Sequence, residues 1–255
     1  MPKINKDSTL NITFVGIGLC LLCSAIISFI AIQLRSVQEN NVVLDMQKKI
    51  VSSAGLDEVY GSVENAMSNI KTLIIDLDRG EIVDINPDTY ELSKELREDG
   101  KYKFLSAEED IASIKKREKY SKVYIEYKDN EINTLILPVR GYGLWGILYG
   151  YLAIEGDFNT VAGLEFYEHK ETPGLGAEID NPKWKALWKG KKIYQENGEV
   201  SLKVIKGSVM KTSDNFSYEI DGLSGATLTC NGVSNLIAYW MGNDGFLNFI
   251  NNLQK

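Results

Sequence analysis

Three cysteines and one histidine among 255 residues leave this chain little sulfur or metal chemistry. Cys20 and Cys23 share one apolar run and Cys230 has no second cysteine near it, so neither a disulfide framework nor a zinc cluster is available. No metal site is expected. A Ser-His-Asp hydrolase would need His169, the single histidine, beside a serine with an acid behind it. Nothing in the spacing supports that, and the G-x-S-x-G frame of a nucleophile elbow is missing. No G-x-G-x-x-G is expected to follow a strand, and no G-x-x-x-x-G-K-[ST] loop occurs, so the chain is not expected to seat NADH or ATP itself. The net charge of −7 argues against nucleic acid, whose phosphates call for a basic face. There is no internal repeat and no low-complexity linker.

What the chain does have begins near its N-terminus. Ile12 to Leu34 reads ITFVGIGLCLLCSAIISFIAIQL, without a charge. At 1.5 Å per residue such a run covers about 35 Å, enough to cross a bilayer with some tilt. It is too long for the core of a signal peptide, and no small-x-small cleavage site follows. A lipoprotein signal is excluded by Leu19 and Leu22, which precede Cys20 and Cys23 where a small residue is needed. The expectation is a tail at 1–11, a retained transmembrane helix at 12–34 and one soluble domain at 40–255. Lys3 and Lys6 before the run and Arg35, Lys48 and Lys49 after it leave the orientation undecided. Cys20 and Cys23 lie on one helical face; packing is the plain reading, contact with a metal centre of a neighbouring subunit the alternative.

The soluble part reads as one α+β domain, an antiparallel sheet flanked by helices. Asn40 to Leu56 suits an amphipathic helix that ends at Gly55. Lys71 to Ile85 reads as a hairpin turning at Arg79-Gly80. The charged stretch 86–121 reads as an insertion or small lobe of helix and loop, its charges on the surface. Then VYIEY, TLILPV, WGILYGYLAI and TVAGLEFYE form a meander, with turns at 128–130, 140–143 and 156–157 and both faces covered. A short helix carries Trp184 and Trp188, a strand follows at SLKVIKG, and two helices close the chain.

DGLSGATLTC, Asp221 to Cys230, gathers three hydroxyl side chains and two glycines just before a helix, without a catalytic base. Taken alone it is a turn and helix N-cap, since Ser and Thr cap well and Gly permits the turn. The N–H groups that open the helix could equally hold a phosphate, and Gly225 and Ala226 leave room for a large ligand beside Thr227.

DGLSGAT resembles the flavinylation motif D-x-x-[ST]-G-A-T, whose last threonine carries FMN through a phosphoester bond. The anchor followed by VLDMQKKI, together with TLILPVRGYGLWG, GLEFYEHKETPGLGAEIDNPKWKALWKGKK and DGLSGATLTCNGV, resembles the C subunit of the bacterial Na+-translocating NADH:quinone reductases over nearly the whole chain. The short motif is shared with the G subunit of Rnf complexes and with other FMN-binding domains; the ETPGLG and SGATLT forms favour the Na+-pump subunit.

The resemblance implies that Thr227 is the point of FMN attachment, with Asp221, Ser224, Gly225 and Ala226 completing the motif and Leu228 and Thr229 following it. Asp221 is either a residue that positions the donor or Mg2+ during attachment or an ordinary turn acid. Glu171, Thr172, Gly174, Leu175 and Gly176 resemble the loop that lines the flavin, and Gly143, Leu144 and Trp145 an apolar wall. Taken alone, Trp145 reads as core, as do Tyr167, Trp184 and Trp188, and His169 as a surface or hydrogen-bonded histidine. No residue is expected to be catalytic, because the flavin does the redox chemistry. The resemblance further implies an electron carrier between NADH and quinone coupled to Na+ export. Its partners are the other membrane and peripheral subunits, the lipid bilayer, and a Mg2+-dependent flavin transferase that uses FAD. It places the N-terminus in the cytoplasm of a bacterial inner membrane and the domain outside. The alternatives are an Rnf G-type subunit and a non-redox membrane-anchored binding module.

Overall fold

The computed structural model describes residues 8–255. Lys3, Lys6 and Asp7 lie outside the described residues. The chain divides into two units, residues 1–46 and 47–255. The first unit consists, where described, almost wholly of helix α1, which spans Thr9–Ser53. The apolar run at 12–34 lies inside it with its large side chains exposed, Phe14, Leu21 and Phe29 among them. This is the one helix among the described residues long and apolar enough to cross a membrane. The amphipathic helix expected from Asn40 is the continuation of α1 and not a separate element. The physical reason is that no glycine or proline interrupts residues 35–53.

In the second unit, α2 (Leu56–Tyr60) and α3 (Val63–Ser68) lead to β1 (Ile70–Asp76) and β2 (Glu81–Val83). The expected hairpin is present; the Asp76 carboxylate accepts the N–H groups of Asp78 and Arg79 in its turn. The meander follows as β5 (Tyr120–Lys128), β6 (Glu131–Tyr142), β7 (Ile147–Glu155) and β8 (Val161–Glu168). The resulting six-stranded sheet has the order β2-β1-β5-β6-β7-β8, antiparallel throughout. Alternation sends successive side chains to opposite faces. Val123, Leu135, Leu137 and Leu152 enter the main core; Tyr124, Ile136, Tyr151 and Ala153 enter a second core with Ile50, Val51, Leu56 and Ala66. Both faces are covered, which is why these strands are nearly continuous apolar runs.

Asp129 and Asn130, at φ 54 and 65, form the first meander turn where it was expected. The next turn falls later than 140–143. β6 continues through Tyr142, and the chain reverses at Gly143–Gly146, where the Gly143 N–H donates to the Gly146 carbonyl at 2.8 Å. Arg140 is therefore a strand residue. It is almost fully buried, with Nη1 2.6 Å from Glu118 Oε2 and Nη2 donating to the Lys116 carbonyl at 2.8 Å. Residues 141–146 spell G-x-G-x-x-G, but they join strand to strand, so no helix N-terminus stands there to receive a pyrophosphate.

The charged stretch contains α4 (Leu92–Glu95) and a two-stranded pair, β3 (Tyr102–Phe104) with β4 (Lys116–Glu118). Its charges are not all on the surface. Glu95, Arg117 and Glu118 are buried, the last two because β4 turns them toward partners: Arg140 for Glu118, and Asp78 and the Asp244 carbonyl for Arg117.

Beyond the sheet come α5 (Pro182–Lys185) and a short parallel pair, β9 (Lys203–Val204) with β10 (Glu219–Ile220). Then come α6 (Thr227–Trp240) and α7 (Leu247–Leu253). The α6 helix lies directly on the end of β6. A Cβ on Gly232 would stand 2.3 Å from the Tyr142 carbonyl oxygen, so only glycine permits this approach. The Trp240 indole N–H donates to the Arg140 carbonyl at 2.7 Å and fixes the other end of the helix.

Candidate functional site

Thr227 is the first residue of α6, and its side chain is exposed. The chain reaches it through β10 and a loop that is firmly held. Asp221 Oδ1 accepts the Val209 N–H at 2.7 Å, and the Asp221 carbonyl accepts the Trp184 indole N–H at 2.8 Å. Gly225 then turns the chain at φ 74. Ala226 is the N-cap residue, and no side chain caps the helix. The first intrahelical donor is the Cys230 N–H, bonded to the Ala226 carbonyl at 3.0 Å. The N–H groups of Thr227, Leu228 and Thr229 thus face out from the positive end of the helix dipole, the arrangement that favours a phosphate.

Two further segments meet this helix start, and Glu171 ties them together. Its carboxylate is buried. Oε1 accepts the N–H groups of Leu144 and Trp145, each at 3.0 Å, and Oε2 accepts the Thr229 hydroxyl. Both contacts need the absence of a neighbouring side chain. A Cβ on Gly143 would lie 2.7 Å from Oε1, and one on Gly176 would lie 2.5 Å from Oε2. The residues after Glu171 curl into a loop in which the Leu175 and Ala177 N–H groups donate to the Thr172 carbonyl, followed by a 3-10 turn at Gly176–Asp180. His169 closes the loop at its base. Its Nδ1 accepts the Glu171 N–H at 3.2 Å, so Nε2 carries the hydrogen and donates to Asp180 Oδ2 at 2.8 Å. The loop reaches the helix start at Leu175, whose Cδ2 would be 2.9 Å from a Cβ on Gly225.

The outer surface of these three segments is apolar although it faces solvent. Trp145 is 62% exposed, Leu228 58%, Leu175 43% and Leu144 39%. Large apolar side chains left open around a hydroxyl and a helix N-terminus match the needs of a ligand that is aromatic at one end and anionic at the other. Behind them the Cys230 thiol is pushed up by burial and accepts the Leu223 N–H at 3.3 Å, so it stays a neutral packing group.

An FMN-binding domain model matches residues 143–242, which include all three segments. The C subunit of the Na(+)-translocating NADH-quinone reductase of Pseudomonas aeruginosa is 46% identical over 256 residues, 98% of each chain. This chain belongs to that family. The corresponding C subunit of Vibrio anguillarum is 41% identical over 96% of this chain and 95% of its own. Among solved structures, NqrC of Shewanella oneidensis superposes with a TM-score of 0.74 at 31% identity, over 82% of this chain and 96% of its own. The C subunit of Parabacteroides distasonis superposes with a TM-score of 0.61 at 28% identity, over 85% and 96%. The α+β architecture expected from the sequence, a long apolar N-terminal helix and an antiparallel sheet with helices, is the architecture of this family.

Within this NqrC-type fold the anticipated residues separate into two groups. Ser224, Gly225, Thr227, Leu228, Leu144, Trp145, Thr172, Gly174 and Leu175 are at or near the surface. Glu171, Gly176, Ala226 and Thr229 are buried behind them, so Glu171 and Thr229 hold the site from within and do not line it. The Asp221 carboxylate is half-buried and anchors the 207–209 loop through the Val209 N–H, as a turn acid does. Trp145 is not core, whereas Trp184 and Trp188 are, ring against ring at 5.5 Å, and Tyr167 is half-buried against Tyr149 and Tyr151. His169 is hydrogen-bonded, one of its two expected states, but sequence reasoning did not single it out with Asp180 as the staple of the loop. Their signal was thin: a single histidine two positions before Glu171. Cys20 and Cys23 are exposed on α1.

Proposed function

We propose that this chain is the electron-carrier subunit of a Na+-translocating NADH:quinone reductase and carries FMN as a phosphoester on Thr227. The observation that carries the reading is the exposed Thr227 hydroxyl at the open N-terminus of α6, ringed by Leu144, Trp145, Leu175 and Leu228 inside the matched FMN-binding domain. The residues fit such a group. The free N–H groups of α6 suit its phosphate, and the four apolar side chains suit its ring system.

In this reading the protein binds, orients and protects. Thr227 holds the phosphate covalently, so a site this open does not lose its cofactor. Leu144, Trp145, Leu175 and Leu228 would pack against the ring system, in a site open enough for a redox neighbour to approach. When bound, the flavin supplies the electron-transfer chemistry. The chain supplies no NADH site, and no acid or base of its own is required. Attachment would be the work of a Mg2+-dependent flavin transferase. The Thr227 Oγ–P bond forms as the diphosphate of FAD breaks, AMP departs, and the hydroxyl proton passes to the transferase. Residues 12–34 would cross the inner membrane with the N-terminus in the cytoplasm, and residues 40–255 would form the domain on the outer side beside the other subunits.

The test is the intact mass of the full chain coexpressed with a flavin transferase, with peptide mapping across Asp221 to Cys230. The expected result is a gain of one FMN less one water, located on Thr227. An unmodified mass in a folded protein would overturn covalent attachment.

A further inference from the structure

We infer that Glu171 is the positioning residue of this site: its buried carboxylate sets the place of the apolar rim relative to the helix that bears Thr227. The inference rests on the flavin reading above and adds to it a role for a side chain that touches no ligand. The two segments concerned have no covalent link near one another. The rim is the β6–β7 turn, and Thr227 opens α6. Glu171 joins them by taking two N–H groups from the turn on Oε1 and the Thr229 hydroxyl on Oε2.

The Thr229 side chain lies two positions along α6 from Thr227 and is fully buried. The helix therefore cannot shift or rotate at its start without breaking this bond. The turn has an equivalent constraint. Leu144 and Trp145 are both exposed, and without Glu171 their N–H groups would have only solvent to bond. Burying a carboxylate is costly unless its oxygens are filled, and here three donors fill them. His169 adds a further restraint by accepting the Glu171 N–H while bonded to Asp180, which fixes the backbone from which the carboxylate extends. Gly143 and Gly176 keep the space around both oxygens clear. An exposed rim gains little order from packing of its own, so the clamp beneath it decides where it stands.

The variants Glu171→Gln and Glu171→Ala discriminate this role from general stability. The glutamine amide retains an acceptor for the two turn N–H groups and can donate to the Thr229 oxygen, so Glu171→Gln preserves the clamp. Alanine removes it. Full-length chains coexpressed with a flavin transferase would be compared in two ways: amide hydrogen exchange of residues 143–146, and visible circular dichroism of the bound flavin. The expected result for Glu171→Ala is faster exchange at Leu144 and Trp145 together with loss of the flavin dichroism. Glu171→Gln should stay close to the parent in both. Should Glu171→Ala not fold, Thr229→Val, which removes one donor and keeps the shape, is expected to give the same changes in weaker form.

Faster exchange with unaltered flavin dichroism would reduce Glu171 to a structural role and overturn the inference. So would unaltered exchange. A parent chain without flavin would overturn the functional reading itself, and that outcome shows separately, in the mass of the parent.

Discussion

Thr229 donates its hydroxyl to the carboxylate of Glu171, a residue 58 positions earlier in the chain, and neither side chain is open to solvent. Through this bond an irregular loop, a hairpin turn and a helix N-terminus become one structure. The Thr227 hydroxyl, by contrast, remains outside. Two threonines separated by one residue have opposite fates because a helix turns by about 100° per residue, which carries positions two apart to different faces.

Thr227→Ala should separate the cofactor from the fold. The side chain is exposed and caps nothing, so the change in stability should stay within about 0.5 kcal/mol. The flavin mass gain and the colour of the denatured chain should both disappear. Intact mass and thermal melting of parent and variant check the two halves.

Gly232→Ala should do the reverse. Its Cβ would stand 2.3 Å from the Tyr142 carbonyl, a backbone atom that cannot turn aside, so α6 must move off the β6–β7 turn. Overpacking of this kind costs about 1–3 kcal/mol. Urea unfolding should show the loss, and flavin attachment should fall with it although Thr227 is untouched.

The Arg140 and Glu118 pair should be costly to break from either side. Both side chains are almost fully buried at 2.6 Å. Removing one partner leaves a buried charge alone, a loss of about 3–5 kcal/mol. Glu118→Ala and Arg140→Ala should each lower the urea midpoint strongly. The double variant Arg140→Met with Glu118→Leu should recover much of that loss. Chemical denaturation of the three variants decides it.

Stability should fall in alkali. Burial first of all pushes the phenols of Tyr90, Tyr124, Tyr151, Tyr167, Tyr194 and Tyr239 above their ordinary value of 10.0. A group whose folded pKa is raised contributes stability that is complete below the unfolded value. That stability is lost as the pH climbs toward the folded one. The unfolding free energy should therefore be level below about pH 10 and decline above it, each phenol adding up to about 1.4 kcal/mol per pH unit. Tyr151→Phe should make the decline shallower. Urea unfolding followed across the alkaline range measures the slope.

Much of this molecule is written in local pattern. The apolar run at 12–34, the alternation of VYIEY and TLILPV, and the small residues of SGAT each announce their element without help from distant residues. The errors came where the deciding partner was remote. Arg140 read as a turn residue because Gly141 and Gly143 follow it closely, yet Glu118 and the backbone of Lys116 hold it in a strand. Arg117 and Glu118 read as surface charge because their neighbours in sequence are charged; their neighbours in space are not solvent. Trp145 taken alone reads as core because aromatics usually are, whereas the resemblance puts it on an apolar wall; it lies on the exposed rim.

The sequence by itself therefore determined the long apolar N-terminal helix, the order of the strands along the chain and the turn that opens α6, since helix period, strand alternation and turn residues act within a few positions. Only the tertiary structure decided which motif residues face outward and which hold the site from inside. That choice depends on α6 lying against the end of β6, on Gly232 permitting the approach, and on a buried carboxylate finding its donors in separate segments. A buried charge must be satisfied wherever the fold brings donors to it, and a single chain read in order does not reveal that meeting place.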